Sequence, residues 1–427
     1  MRKVNSMLVI MIVTVINVSL CSKCFAELQY QAIDICRVGG WNGKNLTINE
    51  AGEVAGNGRY VGAFFWSEDE LVTITNGYND SAFGMNNLGH VVGITNYNVF
   101  FWDNGEFLNL GKFGGSNAQG RAINDSGQIV GYWDAYAVFI EGEEAIKIVP
   151  GCALGINNSG EVVGVHYVGG SLNKSRGFLY SNGQITNIEL GYGISRAYGI
   201  NESGQVVGHA DAADGKYHAF SWKDGVITDL GTPGITSWAY GINDFGQVVG
   251  CIDDPHEAEA VIWNNGVMTN LNDLLLEGSE CDVLECAFEI NNSGQIVGRG
   301  ILKEDGRDYI FLLNPVPPIP AEADIEPKTL NLSSNGKWIS CHIWLPEDYD
   351  VADVNTDSIL LEGQIAAAQV WVNQEQQVVT VKFSRAEVQE ILEAGEVELT
   401  ISGELVDGAK FEGTDSIRVI DKNSKGK

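Results

Sequence analysis

A stretch of nine residues returns seven times along this chain. It reads "INDSGQIVG" at residues 123–131, and near copies occupy 48–56, 85–93, 156–164, 200–208, 242–250 and 290–298. Successive copies begin 33 to 48 residues apart. A period of about 40 residues has room for four short strands and their turns, as in the blades of β-propellers. The repeat therefore restricts most of the chain to a β architecture of like units.

The repeated stretch carries the chemistry of a tight turn. An Asn side chain can accept a hydrogen bond from the backbone two residues further on, and the Gly three residues after it can adopt positive φ. A second Gly then ends the short strand that follows. We therefore interpret the motif asparagines as structural turn residues; they are Asn49, Asn86, Asn124, Asn157, Asn201, Asn243 and Asn291.

Each copy is followed by an aromatic strand such as "GAFFW" or "HAFSW", a turn such as "DNG" or "KDG", and a further strand. Before the first copy stand "LQYQAIDI" and "LTIN", which match the last two strands of a unit, and the seventh unit stops after its second strand. Such half-units close a ring without open sheet edges. The pattern predicts an all-β fold with a seven-bladed β-propeller over residues 27–313, in which Tyr30–Ile35 lies beside Tyr309–Leu313.

Residues 30–313 resemble the HAF repeat proteins, a family of exported repeat proteins named for a His-Ala-Phe triplet. The triplet stands here at His218, Ala219 and Phe220, followed by Trp222 and by "DLG" at 229–231. The resemblance implies the repeat architecture and export. It transfers no catalytic residue.

A different organisation follows the repeats. Residues 314–323 hold four of the nine prolines and predict a stiff linker. Period-two strands then fill residues 324–421, interrupted by one helix with a capping box at Ser384 and Glu387 and an apolar face of Val388, Ile391 and Leu392. This predicts an Ig-like β-sandwich with one short helix. The region resembles modules at the ends of bacterial and archaeal surface proteins, and residues 422–427 are a tail.

The first 26 residues predict a secretory signal peptide. Arg2 and Lys3 precede the apolar run Met7–Leu20, and a small residue, Ala26, stands at the expected cleavage point. This run is shorter than the about 20 residues that a membrane span needs. We therefore expect a protein that is secreted or held at the cell envelope. Its formal charge of −30 excludes nucleic-acid binding.

Removal of the signal peptide would leave six cysteines. Cys281 and Cys286 are five residues apart and form a candidate disulfide, since export permits disulfides. Sequence leaves the pairing of the other four open; they are Cys36, Cys152, Cys251 and Cys341. Their scatter argues against structural zinc. We predict no metal and no cofactor, because the calcium-like run at 353–358 has Ser358 and Gln364 where such a loop needs Gly and Glu.

No histidine or carboxylate stands in a recognisable catalytic motif, so no catalytic residue is predicted. We interpret His218 as a packing or hydrogen-bonding residue of the repeat. Trp41 and Trp238 fall in apparent loops before motif strands, and we take them as candidate ligand-binding residues for a sugar or a peptide side chain.

Two functions fit this sequence. The favoured hypothesis is a monomeric, exported, non-enzymatic propeller that binds an extracellular protein or glycan. The alternative is a propeller hydrolase or lyase that acts on extracellular polysaccharide. A carboxylate or histidine cluster on the propeller axis would favour the enzyme, whereas an aromatic surface without one would favour binding.

Overall fold

The computed structural model describes residues 29–37, 46–58, 62–77, 80–142, 144–170, 174–191, 193–253, 258–276, 278–279 and 281–421. The predicted signal peptide, the candidate ligand residue Trp41 and the tail 422–427 lie outside these ranges.

Short strands make up the repeat region. They are β1 (Gln29–Arg37), β2 (Thr47–Ile48), β3 (Val54–Gly58), β4 (Gly62–Ser67), β5 (Glu70–Thr75), β6 (Ser81–Met85), β7 (Val91–Thr95), β8 (Asn98–Asp103), β9 (Glu106–Gly111), β10 (Ala118–Ile123), β11 (Ile129–Trp133), β12 (Tyr136–Glu141), β13 (Glu144–Ile156), β14 (Val162–Tyr167), β15 (Ser175–Ser181), β16 (Gln184–Ile188), β17 (Ser195–Ile200), β18 (Val206–Asp211), β19 (Tyr217–Lys223), β20 (Val226–Asp229), β21 (Thr236–Ile242), β22 (Val248–Asp253), β23 (Ala258–Asn264), β24 (Val267–Asn270), β25 (Cys281–Ile290), β26 (Ile296–Leu302) and β27 (Asp308–Val316).

These strands form antiparallel groups of four, which we call units. Four sheets are meanders of consecutive strands: β2–β5, β6–β9, β17–β20 and β21–β24. A longer sheet runs from β10 to β16, and its strand β13 is both the last strand of one unit and the first of the next. The remaining sheet has the order β1-β27-β26-β25, so it joins the start of the repeat region to its end.

The pairing predicted between Tyr30–Ile35 and the end of the repeats is present. β1 runs antiparallel to β27, with Ala32 opposite Leu313 and Ile33 opposite Leu312. The prediction was wrong in one respect, because only β1 joins the last sheet. β2 pairs with β3 in the first unit, where Ile48 opposes Val54. One strand thus covers the edge that β27 would otherwise present.

Apolar side chains between neighbouring units form the core of the repeat region. The aromatic strand of most units places a fully buried phenylalanine there, as with Phe64, Phe100, Phe178, Phe220 and Phe311. Burying such a ring contributes about 1.5–3 kcal/mol to the free energy of folding. The "DNG"-type turns lie at the sheet margins, with positive φ at both central residues, which is the geometry of tight hairpins.

The C-terminal region has ten strands and one helix: β28 (Ile319–Pro320), β29 (Glu322–Glu326), β30 (Thr329–Asn331), β31 (Trp338–Trp344), β32 (Val354–Leu361), β33 (Ile365–Ala366), β34 (Gln369–Asn373), β35 (Val378–Ser384), α1 (Arg385–Ile391), β36 (Gly395–Leu405) and β37 (Lys410–Ile420). One sheet has the order β28-β37-β36-β32-β33, with β30 also on β37, and the other has the order β29-β31-β35-β34. Both contribute to one apolar core.

Two details of this region differ from the sequence predictions. Residues 314–323 are not an extended linker, because β27 continues to Val316 and β28 and β29 begin within the segment; a proline lacks the N–H but keeps its carbonyl, so it is tolerated at strand ends. Ser384 precedes α1 without a side-chain capping bond, so the predicted capping box is absent. Val388 is buried, whereas Ile391 is 38% exposed.

No helix within the described ranges is long and apolar enough to cross a membrane.

Candidate functional site

The seven motif asparagines form a closed cycle of hydrogen bonds. Each is buried, and its Nδ2 donates to the backbone carbonyl of the motif asparagine in the next unit over 3.0–3.4 Å. The last bond runs from Asn291 back to Asn49. We call this set the asparagine cycle. It places the first strands of all units, which we call the inner strands, around one axis.

The asparagine cycle also holds each turn together. The Oδ1 of Asn49 accepts from the N–H groups of Ala51 and Glu53, at 3.1 and 3.0 Å. The Gly three residues after each motif asparagine has φ between 75 and 81°, a conformation that favours glycine. With every amide engaged in this way, the motif asparagines are structural and offer little to a ligand.

A second cycle lies next to the first and is exposed to solvent. In each unit, the N–H after the motif asparagine donates to a side-chain oxygen of the next unit over 2.8–3.3 Å. Its members are Glu50, Asn87, Asp125, Asn158, Glu202, Asp244 and Asn292. Burial first, and then the charges of Asp244 and Asp125, raise the pKa of Glu50 and of Glu202. Four of the seven members are carboxyl groups, so this end of the axis is the acidic one.

Larger side chains stand three residues before each motif asparagine, on the inner strands except for Leu46, which directly precedes β2. They are Leu46, Phe83, Arg121, Leu154, Tyr198, Tyr240 and Phe288. Neighbours stack around the axis: the ring centroids of Tyr198 and Tyr240 are 5.2 Å apart, and those of Tyr240 and Phe288 are 5.5 Å apart. The guanidinium of Arg121 lies 4.1 Å from the ring centroid of Phe83, a cation–π contact.

Trp238 stands five residues before its motif asparagine, and its predicted position in a loop was wrong. It lies within β21, opposite Cys251, and is half-buried. Its counterparts in other units are Ser81, Gln119, Cys152, Arg196 and Cys286. Trp238 is thus held rigidly on the inner face of the ring, where a flat aromatic surface can stack on a ligand.

Arg121 and Arg196 are the notable charges on this inner surface. An Nη of Arg121 donates to Gln119 over 2.6 Å, and Arg196 bonds to the phenol of Tyr198. The Nε atom of each arginine is buried with no hydrogen-bond partner among the described residues. Both charges act on Cys152, although burial outweighs them and raises the pKa of that thiol. The two guanidinium groups therefore flank the unit that carries Cys152.

His209 lies directly across the β17–β18 pair from Arg196. Its ring is 5.4 Å from that of Tyr198 and 5.0 Å from that of Tyr217, and it is only 4% exposed. Burial, and then the charge of Arg196, lower the pKa of His209 to about 3. The imidazole is neutral at physiological pH, and its Nδ1 has no partner among the described residues.

Glu289 is an acidic residue at a position that glycine holds in four of the other six units. It stands two residues before its motif asparagine, where Gly84, Gly155, Gly199 and Gly241 stand in their units. A Cβ at Gly241 would lie 2.8 Å from the carbonyl oxygen of Phe288, so most units have no space for a side chain there. Burial raises the pKa of Glu289 to about 8, and no charge or hydrogen bond from the described residues offsets it. Glu289 therefore retains its proton near neutral pH.

The His-Ala-Phe and Asp-Leu-Gly segments form a clasp at the opposite side of the sheet. Nδ1 of His218 lies 2.9 Å from Oδ2 of Asp229, and Nε2 lies 3.2 Å from Oδ2 of Asp214. Burial lowers the pKa of His218, but its bonds to Asp229 and Asp214 outweigh burial and raise it. A Cβ at Gly231 would lie 2.3 Å from His218 Cγ. Both segments are accounted for by packing and hydrogen bonding.

The candidate disulfide was wrong. Cys281 and Cys286 both belong to β25 and are not bonded to each other. A strand advances about 3.3 Å per residue, so five residues separate the two Cα atoms by on the order of 15 Å. A disulfide requires roughly 7 Å or less. Burial instead raises the pKa of the Cys281 thiol to about 12.

Reasoning from the sequence singled out Trp238 but missed Arg121, Arg196, His209 and Glu289. A signal for three of them was present: counted back from the motif asparagine, Arg121, Arg196 and Glu289 occupy positions where other units hold different residue types. In a repeat protein, such departures mark the positions that the architecture does not require. No group of metal-ligating side chains occurs among the described residues.

The sequence matches no protein-family model and no curated protein. Three solved structures are similar at low identity. A provisionally assigned gluconolactonase has a TM-score of 0.36 and 11% identity, over 68% of this chain and 97% of that one. A puromycin-hydrolyzing peptidase of Mycobacterium tuberculosis has a TM-score of 0.41 and 9% identity, over 76% of this chain and 60% of that one. The calcium-binding protein regucalcin of Agrobacterium tumefaciens has a TM-score of 0.36 and 10% identity, over 68% of this chain and 95% of that one.

Proposed function

We propose that this chain is an exported, non-enzymatic β-propeller protein that binds an extracellular protein or glycan. Its seven units would be the blades, and its C-terminal two-sheet region would be an Ig-like module. The asparagine cycle supports the closed ring, because its last bond joins Asn291 to Asn49 across 242 residues of sequence. Export rests on the predicted signal peptide.

The observation that carries the binding proposal is the inner aromatic surface. Tyr198, Tyr240 and Phe288 stack in sequence around the axis, and half-buried Trp238 stands two residues before Tyr240 on the same inner strand. Phe288 is buried and supports the stack, whereas Tyr198, Trp238 and Tyr240 are half-buried. Because these rings lie on strands, a ligand would meet a surface whose shape is already fixed. Pre-organisation of this kind lowers the entropic cost of binding.

The test is a glycan and peptide array probed with the mature chain, residues 27–427, and with its Trp238→Ala variant. We expect a specific signal that Trp238→Ala removes. Trp371→Ala is the matched control, because Trp371 is 48% exposed in the C-terminal region. Loss of signal with Trp371→Ala alone would move the site to that region, and absence of any signal would contradict the binding proposal. Trp41→Ala tests the second candidate residue in the same experiment.

One observation favours a second candidate, a hydrolase or lyase acting on extracellular polysaccharide. Glu289 has a pKa of about 8 through burial, and a carboxyl that keeps its proton near neutral pH can act as a general acid. Reducing ends or unsaturated products released from polysaccharides by the wild-type chain, but not by Glu289→Gln, would support this candidate over simple binding.

A further inference from the structure

Two arginines on the inner strands lack the acidic partners that four other arginines of the described residues have; Arg37 and Arg385 lack one as well, although Arg385 donates to Ser334 and to the carbonyl of Trp338. Arg176, Arg299, Arg307 and Arg418 each lie within 4.0 Å of a carboxylate. Neither Arg121 nor Arg196 has a carboxylate oxygen within that distance among the described residues. The contrast is large in a chain with 56 acidic and 26 basic residues.

Unpaired charge of this kind is costly to keep inside a protein. Both side chains are half-buried, and the Nε atom of each is buried without a partner. Partly desolvating a cation without a counter-ion disfavours folding. The asparagine cycle does not need arginine at these positions, because other units hold Leu154, Tyr240 or Trp238 at the equivalent places. The arginines are therefore not explained by the fold.

The groups around the two arginines are neutral donors, acceptors and rings. Both charges act on Cys152 and on the phenol of Tyr167. The Arg196 side is bordered by Tyr198 and by neutral His209, whose Nδ1 is buried and has no partner among the described residues. We call this set, with Arg121 and Arg196, the arginine cluster.

We propose that the arginine cluster binds the carboxylate of an acidic sugar, a uronate unit of an extracellular oligosaccharide. This inference rests on the proposed binding function and names its ligand class. Planar guanidinium groups hydrogen-bond carboxylates in a bidentate manner. The neighbouring tyrosine, phenylalanine and tryptophan rings are suited to the apolar face of a sugar ring.

The charge of the whole molecule selects among anions. The exposed cycle of Glu50, Asp125, Glu202, Asp244 and three asparagines lies at one end of the axis and repels anions there. An anionic ligand is therefore favoured at the arginine cluster. A unit with one negative charge suffers less repulsion from a chain of net charge −30 than a phosphate with two. The cluster supplies two guanidinium groups for that single charge.

The first test uses the wild-type mature chain and isothermal titration with a trigalacturonate and its methyl ester, which keeps the shape and removes the charge. We expect the acid to bind at least tenfold more tightly, since a hydrogen bond to a charged group contributes about 1.5–3 kcal/mol. Binding of the acid should weaken as salt is raised. Equal affinity for acid and ester, or no binding of either, would overturn the proposal. Competition by inorganic phosphate at equal concentration would overturn the assignment to a carboxylate.

The second test places the site. Arg121→Gln and Arg196→Gln retain donors but remove the charge, and each should weaken binding of the acid about tenfold or more without changing affinity for the ester. Arg176→Gln is the matched control, because Arg176 is already paired with Glu189; it should bind like the wild type. If Trp238→Ala abolishes the array signal but the wild-type chain binds the acid and the ester with equal affinity, the binding function stands and the uronate assignment fails.

Discussion

The asparagine cycle predicts a large loss of stability from one small substitution. Oδ1 of Asn243 accepts from the N–H of Gln247 over 3.0 Å, and its Nδ2 donates to Oε1 of Gln247 over 2.7 Å and to the carbonyl of Asn291 over 3.1 Å. Gln247 is only 1% exposed. In Asn243→Ala both groups of Gln247 lose their partner, whereas the Asn291 carbonyl keeps the N–H of Gly294.

The magnitude follows from those two groups. A buried polar group left without a hydrogen bond costs about 1–3 kcal/mol, so Asn243→Ala should lower the free energy of unfolding by about 4 kcal/mol. Denaturant unfolding followed by tryptophan fluorescence measures this as a shift of the midpoint at constant slope. One of the two orphaned groups belongs to the Gln247 side chain, so Asn243→Ala with Gln247→Ala should cost less than the sum of the single changes.

Asp244→Ala is the control for this experiment. Asp244 belongs to the exposed cycle and bonds to Glu202 and Asn292 over 2.9 and 2.8 Å, so water can replace its bonds and the loss should stay below about 1 kcal/mol. Equal losses for Asn243→Ala and Asp244→Ala, or a loss below about 1 kcal/mol for the former, would refute the structural role of the asparagine cycle.

Three further predictions concern single residues. Glu289 binds its proton more tightly in the folded than in the unfolded state, so the free energy of unfolding should fall as pH rises from about 4.5 to about 8. Glu289→Gln should make this fall smaller in denaturant titrations at several pH values. An unchanged dependence on pH would contradict the burial of this carboxyl. Gly250→Ala places a Cβ 1.8 Å from the carbonyl oxygen of Trp238 and should prevent folding or cost several kcal/mol of stability. Gly246→Ala, at a φ of 79°, should cost only about 1–2 kcal/mol. Equal denaturation midpoints for the two variants would argue against the close approach of the strands at Gly250. Since the pKa of His218 is raised, its contribution to stability is present below its unfolded pKa and is lost as pH rises through the folded value. Asp229→Asn leaves Asp214 as the remaining carboxylate partner, so it should reduce this pH dependence in thermal unfolding, and an unchanged dependence would contradict the clasp.

The sequence was sufficient for the parts of the fold that repeat. The turn at each motif asparagine and the pairing of Tyr30–Ile35 with the last unit follow from local turn chemistry and from the need to cover a sheet edge. The second glycine was expected to end its strand, but Gly93 and Gly131 lie in the middle of β7 and β11. The bonds between units did not follow, because Asn243 Nδ2 and the Asn291 carbonyl are 48 residues apart in sequence. No local pattern specifies that contact.

The errors share a physical cause, since each came from a local reading of a segment whose conformation is set by pairing. Cys281 and Cys286 suggested a loop closed by a disulfide, but β25 is extended by its bonds to β26. Trp238 suggested a loop, but it lies in β21 and pairs with Cys251 of β22. The proline-rich segment suggested a linker, but Ala321 donates its N–H to the carbonyl of Glu412.

The distribution of residues along the inner strands separates architecture from recognition. Residues that recur in every unit, the motif asparagine and its glycines, are consumed by turns, close approaches and bonds between neighbours. Positions three and five residues before the asparagine are held by the same scaffold but vary from Leu154 to Arg121 and from Cys152 to Arg196 and Trp238. The ring fixes the place of each of these residues without requiring its chemistry. A substitution such as Arg196→Gln should therefore alter binding while the free energy of unfolding stays within about 1 kcal/mol of the wild-type value. A large loss of stability there would mean that the arginines serve the fold, and the ligand assignment would lose its basis.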